Sequence, residues 1–192
     1  MRMRRAATYA AIAIISGAPG SPSLAAPEPL ADIHTQFALQ GLDGRPVTQQ
    51  SYPGRWLLVY FGYTFCPDVC PTVLVSVGHA LDSLGPLADR IQIVFVTVDP
   101  ARDTAAHLTR YLSAFSPRIV GLRGDAQQLE AAAKQFHVYY RPRSLGDGDY
   151  AIDHSSFLYV VAPDGRLVKV LPDSIPQSRM ATELKRLLQG EP

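Results

Sequence analysis

Apolar runs separated by turn residues divide most of the chain into short strands and helices. Trp56 to Phe61 is a continuous apolar run bounded by Gly54 and Gly62. Such a run is typical of a strand that is buried on both faces of a sheet. Ile91 to Val98 has the same character and predicts a second buried strand.

Segments of helical periodicity alternate with these strands. We predict helices over Pro71 to about Ala88, Thr104 to Phe115, Asp125 to Phe136 with Asp125 as N-cap, and Ser178 to Gln189. The remaining strands are Ile119 to Leu122, a small hairpin from Phe37 to Thr48 around a Gly41 to Gly44 turn, and a last hairpin of Ser156 to Ala162 and Leu167 to Leu171. This order indicates an α/β domain, a thioredoxin-like fold with a mixed central sheet flanked by helices and an N-terminal hairpin extension.

Composition agrees with one globular domain. The chain has 192 residues, of which 47% are hydrophobic and 18% charged. A chain of this length buries roughly 70% of its unfolded surface, so the fold needs no disulfide scaffold. The two cysteines are therefore available for chemistry.

The first 26 residues have the three parts of a secretory signal peptide: a basic start, an apolar stretch from Ala6 to Ile15, and a small-residue exit at Ser23 to Ala26. We expect cleavage near Ala25 or Ala26. The apolar stretch is about 10 residues long and a bilayer span needs about 20, which disfavours an uncleaved membrane anchor. That anchor and a mitochondrial transit peptide remain the alternatives. Residues 27–36 then form a neck, and residues 37–192 the folded domain.

Charge argues against one class of partner. The formal net charge is +1, and removal of the leader with its three arginines leaves 15 basic and 17 acidic residues. A chain without net basic charge lacks the electrostatic footprint of nucleic-acid binding, so we expect no nucleic-acid partner. The leader predicts export to the periplasm, and in that compartment a thiol pair can oxidise.

The segment with the clearest chemistry is Cys66 to Pro71, directly after the first buried strand. Cysteines four residues apart lie on one side of a helical turn with Cβ atoms about 5–6 Å apart. They can share one metal ion or, after a small backbone adjustment, form a disulfide with each other. We place Pro71 at the first position of the following helix and Cys70 at its cap. The Cys66 thiol then faces the helix N-terminus, which favours the thiolate.

An inert structural disulfide is the alternative interpretation of the pair. It is disfavoured because closing so short a loop removes little entropy from the unfolded chain. The spacing also differs from the two-residue gap of thioredoxin-type oxidoreductases. The pattern therefore favours metal binding over general thiol exchange.

Two thiolates are too few ligands for a metal site, so a third donor must come from elsewhere. Four of the five histidines have ordinary structural explanations, in the neck, within helices or at a helix end: His34, His79, His107 and His137. His154 differs, because it stands in a loop before the last hairpin that a thioredoxin-like layout brings close to the cysteine turn. Asp149 and Asp153 are candidates for orienting its imidazole, with solvated loop carboxylates as the alternative.

Three separated motifs agree in order and spacing with one known family. They are FGYTFCPDVCP at Phe61 to Pro71, VDPARDT at Val98 to Thr104, and DHS at Asp153 to Ser155 followed by PDG at Pro163 to Gly165. In these motifs the chain resembles the SCO/SenC family of copper-binding proteins, which assist assembly of cytochrome c oxidase. The resemblance covers roughly Phe37 to Leu188.

The resemblance implies a thioredoxin-like fold that binds one copper ion through Cys66, Cys70 and His154. Soft thiolates select Cu(I), and an added imidazole lets the set also hold Cu(II) when water or a carboxylate completes it. Zinc accepts the same donors but prefers a fourth ligand that the sequence does not offer. Three further residues match the family pattern and are interpreted as a structural network where a strand ends and a helix begins: Asp99, Arg102 and Asp103.

Two functions from different classes remain open. The protein is either a copper chaperone that turns over no substrate and serves the copper A centre of an oxidase subunit or another periplasmic copper protein, or a thiol-disulfide oxidoreductase. In the second case Cys66 and Cys70 cycle between dithiol and disulfide and keep the acceptor's cysteines reduced. Peroxide reduction is a weaker third alternative, because it needs one isolated thiolate. We expect a monomer that works close to the membrane.

Overall fold

The computed structural model describes residues 33–190, and a seven-stranded sheet forms the centre of that region. The strands are β1 (Ala38–Gly41), β2 (Pro46–Thr48), β3 (Trp56–Gly62), β4 (Ile91–Thr97), β5 (Ile119–Arg123), β6 (Tyr140–Gly146), β7 (Asp149–His154), β8 (Phe157–Val161) and β9 (Leu167–Pro172). The helices are α1 (Val69–Leu84), α2 (Ala105–Ser113), α3 (Ala126–Gln135) and α4 (Gln177–Leu188). The predicted signal peptide and most of the predicted neck lie outside the described residues.

The sheet is mixed, as the sequence predicts. Its order is β2-β1-β5-β4-β3-β8-β9. Strand β4 pairs in parallel with β3 and β5, whereas β8 pairs antiparallel with β3 and β9 pairs antiparallel with β8. The predicted N-terminal hairpin is present as β1 and β2, and it joins the sheet through β5. The parallel strands lie at the centre because helices cover both of their faces.

Alternate side chains of the central strands supply two cores. Leu58 and Tyr60 of β3 pack with helices α1, α2 and α4 on one face. Val59 and Phe61 point to the opposite face and pack with α3. Each of these four side chains is essentially fully buried. The all-apolar sequence of β3 is thus explained by burial on both faces, and it fixes the end of the strand, where the cysteine turn begins.

Strands β6 and β7 form a separate two-stranded sheet, which we call the arm. These two strands were not predicted from the sequence, and the prediction that His154 lies in a loop is wrong, because it is the last residue of β7. Every residue of β6 except the half-buried Tyr140 is exposed, so the strand has none of the apolar alternation that marks a half-buried strand. Ile152 of β7 is buried in the α3-side core and anchors the arm there.

The first described residues lie against the last hairpin. The Ile33 carbonyl accepts a hydrogen bond from the Leu167 amide at 2.8 Å, and the Thr35 amide donates to the Gly165 carbonyl at 3.0 Å. The final part of the predicted neck is therefore paired with the folded domain. None of the helices within residues 33–190 is both long and apolar enough to cross a membrane.

Candidate metal centre

The cysteine turn connects the buried end of β3 to the start of α1. The helix begins at Val69 with Asp68 as N-cap, so Cys70 is its second residue and Pro71 its third. The prediction that Pro71 begins the helix with Cys70 as the cap is wrong by two residues. A proline fits anywhere in a first turn, because the first four amides of a helix have no acceptor within it. Proline alone therefore does not fix the first residue.

The structure brings together the three donors that the sequence selects. The Sγ atoms of Cys66 and Cys70 and a ring nitrogen of His154 all lie within 4.8 Å of one another. Cys70 Sγ is 3.8 Å from His154 Nε2. Donors that surround one metal ion at about 2.0–2.3 Å in a trigonal site are about 3.5–4 Å apart, so the cluster needs only small shifts to close on an ion. Among the described residues, no other group of histidine, cysteine and carboxylate side chains of this kind occurs.

A glycine under the site makes the close packing of Cys70 possible. A Cβ atom on Gly62 would lie 2.9 Å from Cys70 Sγ and 3.1 Å from the rings of Tyr60 and Phe95. Contacts that short force a neighbouring group to move, and here the neighbour is a proposed ligand. Cys70 is fully buried, whereas Cys66 and His154 are half-buried. One side of the donor set is therefore held by the core and the other faces outwards.

The histidine is oriented for ligation through Nε2. Its Nδ1 atom lies 3.1 Å from the Ser155 carbonyl oxygen. A carbonyl can only accept, so Nδ1 carries a proton, and in the neutral ring Nε2 then presents its lone pair on the side of the cysteines. The two carboxylates that the sequence suggested for this role do not perform it: Asp153 pairs with Arg143, and Asp149 pairs with Arg102. A backbone carbonyl, invisible to sequence reasoning, takes their place.

The pKa values of the two cysteines are shifted in opposite directions. The hydrogen bond that the Cys70 thiol donates lowers the pKa of Cys66 to about 4, against the opposing effect of burial. The Cys70 amide, near the N-terminus of α1, also donates to Cys66 Sγ at 3.4 Å. The pKa of Cys70 is raised by the same hydrogen bond to Cys66 and by its burial. In the metal-free protein, Cys66 is therefore a thiolate, and Cys70 is a thiol that donates a hydrogen bond to it.

This asymmetry predicts how the reduced, metal-free protein reacts with iodoacetamide. Only a thiolate is alkylated, and because the Cys66 pKa is lowered to about 4, its thiolate fraction is nearly constant above that value and decreases as the pH falls through it. We expect a single alkylation, at Cys66, with a rate that is flat from about pH 5 to 8, where an ordinary cysteine gains about tenfold per pH unit. Peptide mass spectrometry against pH measures this.

The matched control is Cys70→Ala, which removes the hydrogen bond that stabilises the thiolate. Its Cys66 should titrate at a higher pH than in the wild-type protein, and alkylation at pH 5 should become slower. Equal reaction of both cysteines, or a wild-type rate that still rises between pH 7 and 9, would contradict the assignment.

Tyr60, which the sequence indicates only as part of a buried strand, contacts the buried cysteine of the cluster. The Tyr60 hydroxyl lies 3.6 Å from Cys70 Sγ, to which it donates, and 3.1 Å from Ser156 Oγ. Burial raises the pKa of Tyr60, so the hydroxyl remains a donor at neutral pH. The one signal in the sequence was a polar tip inside an otherwise apolar strand.

A buried carboxylate holds the start of the cysteine turn. Asp103 is fully buried and accepts from the Thr64 amide at 3.1 Å and from the hydroxyls of Thr64 and Thr97, each at 2.5 Å. The nearby Asp99 forms an ion pair with Arg102 at 2.5 Å. The network between the end of β4 and the start of α2 is thus present, and through Thr64 it reaches the turn that carries the two cysteines.

The known proteins to which this chain is similar all point to one family. Residues 25–189 match the family model described as SCO1/SenC. The protein SCO1 homolog, mitochondrial, of Homo sapiens is 39% identical over 136 residues, which is 69% of this chain and 45% of the relative. The SCO2 homolog, mitochondrial, of Danio rerio is 42% identical over 137 residues, 69% of this chain and 48% of the relative. The chain spans about half the length of these curated relatives.

Solved structures give the same result and confirm the predicted thioredoxin-like fold. Bradyrhizobium japonicum ScoI with copper bound superposes with a TM-score of 0.73 at 38% identity, covering 80% of this chain and 98% of that one. Yeast Sco1 with copper bound gives a TM-score of 0.76 at 32% identity, covering 83% and 90%. Together with the family model, the site geometry and the fold, these matches show that this chain belongs to the SCO1/SenC family.

Proposed function

We propose that the protein is a copper chaperone that binds one copper ion through Cys66, Cys70 and His154. It delivers the ion to the copper A centre of a cytochrome c oxidase subunit or to another periplasmic copper protein. The observation that carries the proposal is the cluster of two sulfur atoms and one imidazole nitrogen within 4.8 Å. Relatives with solved copper-bound structures support the choice of metal.

The donor set suits copper better than zinc. Two cysteine sulfurs are soft ligands that select Cu(I), and the imidazole supplies a donor that Cu(II) also accepts. A structural zinc site would use four ligands in a closed tetrahedron. Within residues 33–190 the cluster contains three such side chains. Three ligands on a half-open site fit a metal ion that must be released again.

The position of the site suits transfer to another protein. Cys66 and His154 are only half-buried, and the neighbouring Phe65 is 50% exposed. An incoming thiolate or imidazole can therefore reach the ion from outside and replace the chain's ligands one after another. Cys70, held by the core and by Tyr60, would be the last ligand to leave.

A second function is favoured by one specific observation, the opposite pKa shifts of the two cysteines. The Cys66 thiolate can attack an acceptor's disulfide, which forms a mixed disulfide and releases one acceptor thiolate. Cys70 then loses its proton and attacks Cys66 Sγ, which closes the internal disulfide and releases the second acceptor thiolate. Two electrons pass to the acceptor, whose cysteines become able to bind copper.

One experiment separates the two functions. Reduced protein, with and without one equivalent of Cu(I), is mixed with an isolated copper A domain in its reduced or its disulfide form, and metal and thiols are counted on each separated partner. The chaperone function predicts that copper moves to the reduced acceptor while all thiol counts stay constant. The reductase function predicts that metal-free protein gives the oxidised acceptor two thiols and loses two of its own.

His154→Ala is the matched control, because it removes a copper ligand and leaves both cysteines in place. It should weaken metal retention and alter transfer, while thiol transfer to the oxidised acceptor continues at a similar rate. If copper stays on the wild-type protein in the presence of excess reduced acceptor, delivery is wrong. If thiol counts never change, the reductase function is wrong.

The location and the form of the molecule are further parts of the proposal. The basic, apolar and small-residue parts of residues 1–26 support export to the periplasm, with cleavage near Ala25 or Ala26 or retention as a membrane anchor. Residues 27–36 then connect the leader to a monomeric copper-binding domain of residues 37–192. In such an oxidising compartment the two thiols can form a disulfide and be reduced again.

A further inference from the structure

The arm that carries His154 has few attachments to the part of the fold that carries the cysteines. Strands β6 and β7 pair with each other and not with the central sheet. The Ile152 side chain is buried in the core, and its amide donates to the Tyr63 hydroxyl at 3.3 Å. The distance between imidazole and sulfurs therefore depends on a small number of side-chain contacts.

Arg102 makes several of these contacts. Its Nη1 atom donates to the Tyr150 carbonyl of β7 at 2.8 Å and to Asp149 at 3.3 Å. Its guanidinium lies 3.7 Å from the centre of the Tyr150 ring and 4.6 Å from the centre of the Phe65 ring. Phe65 immediately precedes Cys66 in the turn. One side chain thus contacts both the turn that carries the cysteines and the arm that carries the histidine.

Asp99 fixes the direction of this arginine. The buried carboxylate accepts from Arg102 Nε at 2.5 Å and from the Tyr150 hydroxyl at 2.8 Å. A planar guanidinium can donate to the carboxylate and the arm at the same time and still stack on rings, which a lysine ammonium cannot do. The three residues form a closed set in which moving one displaces the others.

The position of Arg102 is energetically unfavourable in one respect, which an ion pair with Asp99 alone does not explain. Arg102 Nη2 is buried and has no hydrogen-bond partner among residues 33–190. An unpaired buried donor is destabilising, and two stacked aromatic faces compensate for it only in part. The guanidinium occupies a position where it joins the turn and the arm, although one of its own donors stays unsatisfied.

We propose that Arg102, directed by Asp99, is the positioning residue that holds the His154 arm against the cysteine turn. It touches neither sulfur nor imidazole. It acts through Phe65 on one side and through the Tyr150 carbonyl on the other. Without it the arm moves away, the cysteine pair still binds Cu(I), and the imidazole is lost as a ligand. The metal part of this inference rests on the proposed copper function, and the arm part does not.

The test uses two readouts on Arg102→Met, which keeps side-chain length and removes the charge and the hydrogen bonds. In the metal-free protein, hydrogen exchange of the Ile152 amide should become about tenfold faster or more, as expected for the loss of charged hydrogen bonds and ring stacking. In the Cu(II)-loaded protein, the nitrogen hyperfine coupling of a bound imidazole in the electron paramagnetic resonance spectrum should be lost. Arg102→Lys should not restore it.

Arg143→Gln is the matched control. Arg143 also lies on the arm and pairs with Asp153, next to the histidine, but its bond to that carboxylate is exposed. Both readouts should stay at wild-type values in this variant. If Arg102→Met leaves exchange and nitrogen coupling unchanged, or if Arg143→Gln alters both equally, the positioning role is wrong.

The copper ligand His154 and the positioning role of Arg102 can be contradicted separately. A wild-type protein with no nitrogen coupling would overturn the His154 ligand and the metal part of the inference, while amide exchange still decides whether Arg102 holds the arm. If Arg102→Met does not fold, Tyr150→Phe removes only the hydroxyl bond to Asp99 and should give a smaller change of the same sign in both readouts. No change in that variant would then count against the proposal.

Discussion

Replacing either Cys66 or Cys70 with serine should remove tight Cu(I) binding, because each change deletes one of only two soft donors. A serine hydroxyl is neutral at physiological pH and is a poor ligand for Cu(I). Loss of a supporting contact around a metal site costs about 10–100-fold in affinity, so loss of a ligand should cost more than about 100-fold. Competition with a chelator of known Cu(I) affinity measures this.

The same two serine variants should also change the absorption spectrum of the Cu(II)-loaded protein. Wild-type protein loaded with Cu(II) should show a thiolate-to-copper charge-transfer band, which either serine variant removes or strongly alters. His79→Ala is the control, since His79 lies on α1 and is exposed, outside the donor cluster. An unaffected band in one cysteine variant would show that the two sulfurs do not share one ion.

Oxidation should abolish copper binding as completely as mutation does. We expect air-exposed, metal-free protein to form a Cys66–Cys70 disulfide, since the Cys66 thiolate lies within 4.8 Å of the Cys70 sulfur. Cys66 precedes the helix in an irregular turn, so it can approach Cys70 without unwinding α1. A disulfide sulfur is no longer a thiolate ligand, so both soft donors are lost together. Thiol counting followed by copper titration measures the effect.

A mild dithiol should restore both thiols and one equivalent of copper. The closed loop is very short, and we expect the bond to be easily reduced, like regulatory rather than structural disulfides. The protein loaded with Cu(I) before exposure to air is the control and should oxidise more slowly. Two persistent free thiols in air, or equal copper uptake by the oxidised form, would leave an always-loaded chaperone as the better account.

The cluster of Cys66, Cys70 and His154 could be predicted from the sequence, because the signals for these three residues are a short spacing and a distinct motif. Cys66 and Cys70 are brought together by a single turn, whatever the rest of the fold does. The continuous apolar run of β3 placed that turn at the end of a buried strand. His154 could be selected because the other four histidines had ordinary positions and the DHS motif resembled one family.

The side chains that support this cluster could not be predicted in the same way. Arg102 reaches Tyr150 across 48 residues, and Tyr60 reaches Ser156 across 96, so neither contact has a sequence pattern. The arm was not predicted because β6 is exposed at every position after Tyr140 and contains Pro142, which weakens a strand assignment. Tertiary contacts decide these features, and they determine how the ligands are held.

X-ray absorption at the copper edge tests the central claim most directly, on the Cu(I)-loaded wild-type protein and on His154→Ala. The account predicts two sulfur atoms and one imidazole nitrogen around one copper ion in the wild-type protein. In His154→Ala it predicts the same two sulfur atoms, no imidazole nitrogen, and an unchanged fold, since the histidine is only half-buried at the end of β7. An identical imidazole signal in the two proteins, or a wild-type site with fewer than two sulfur atoms, would contradict it.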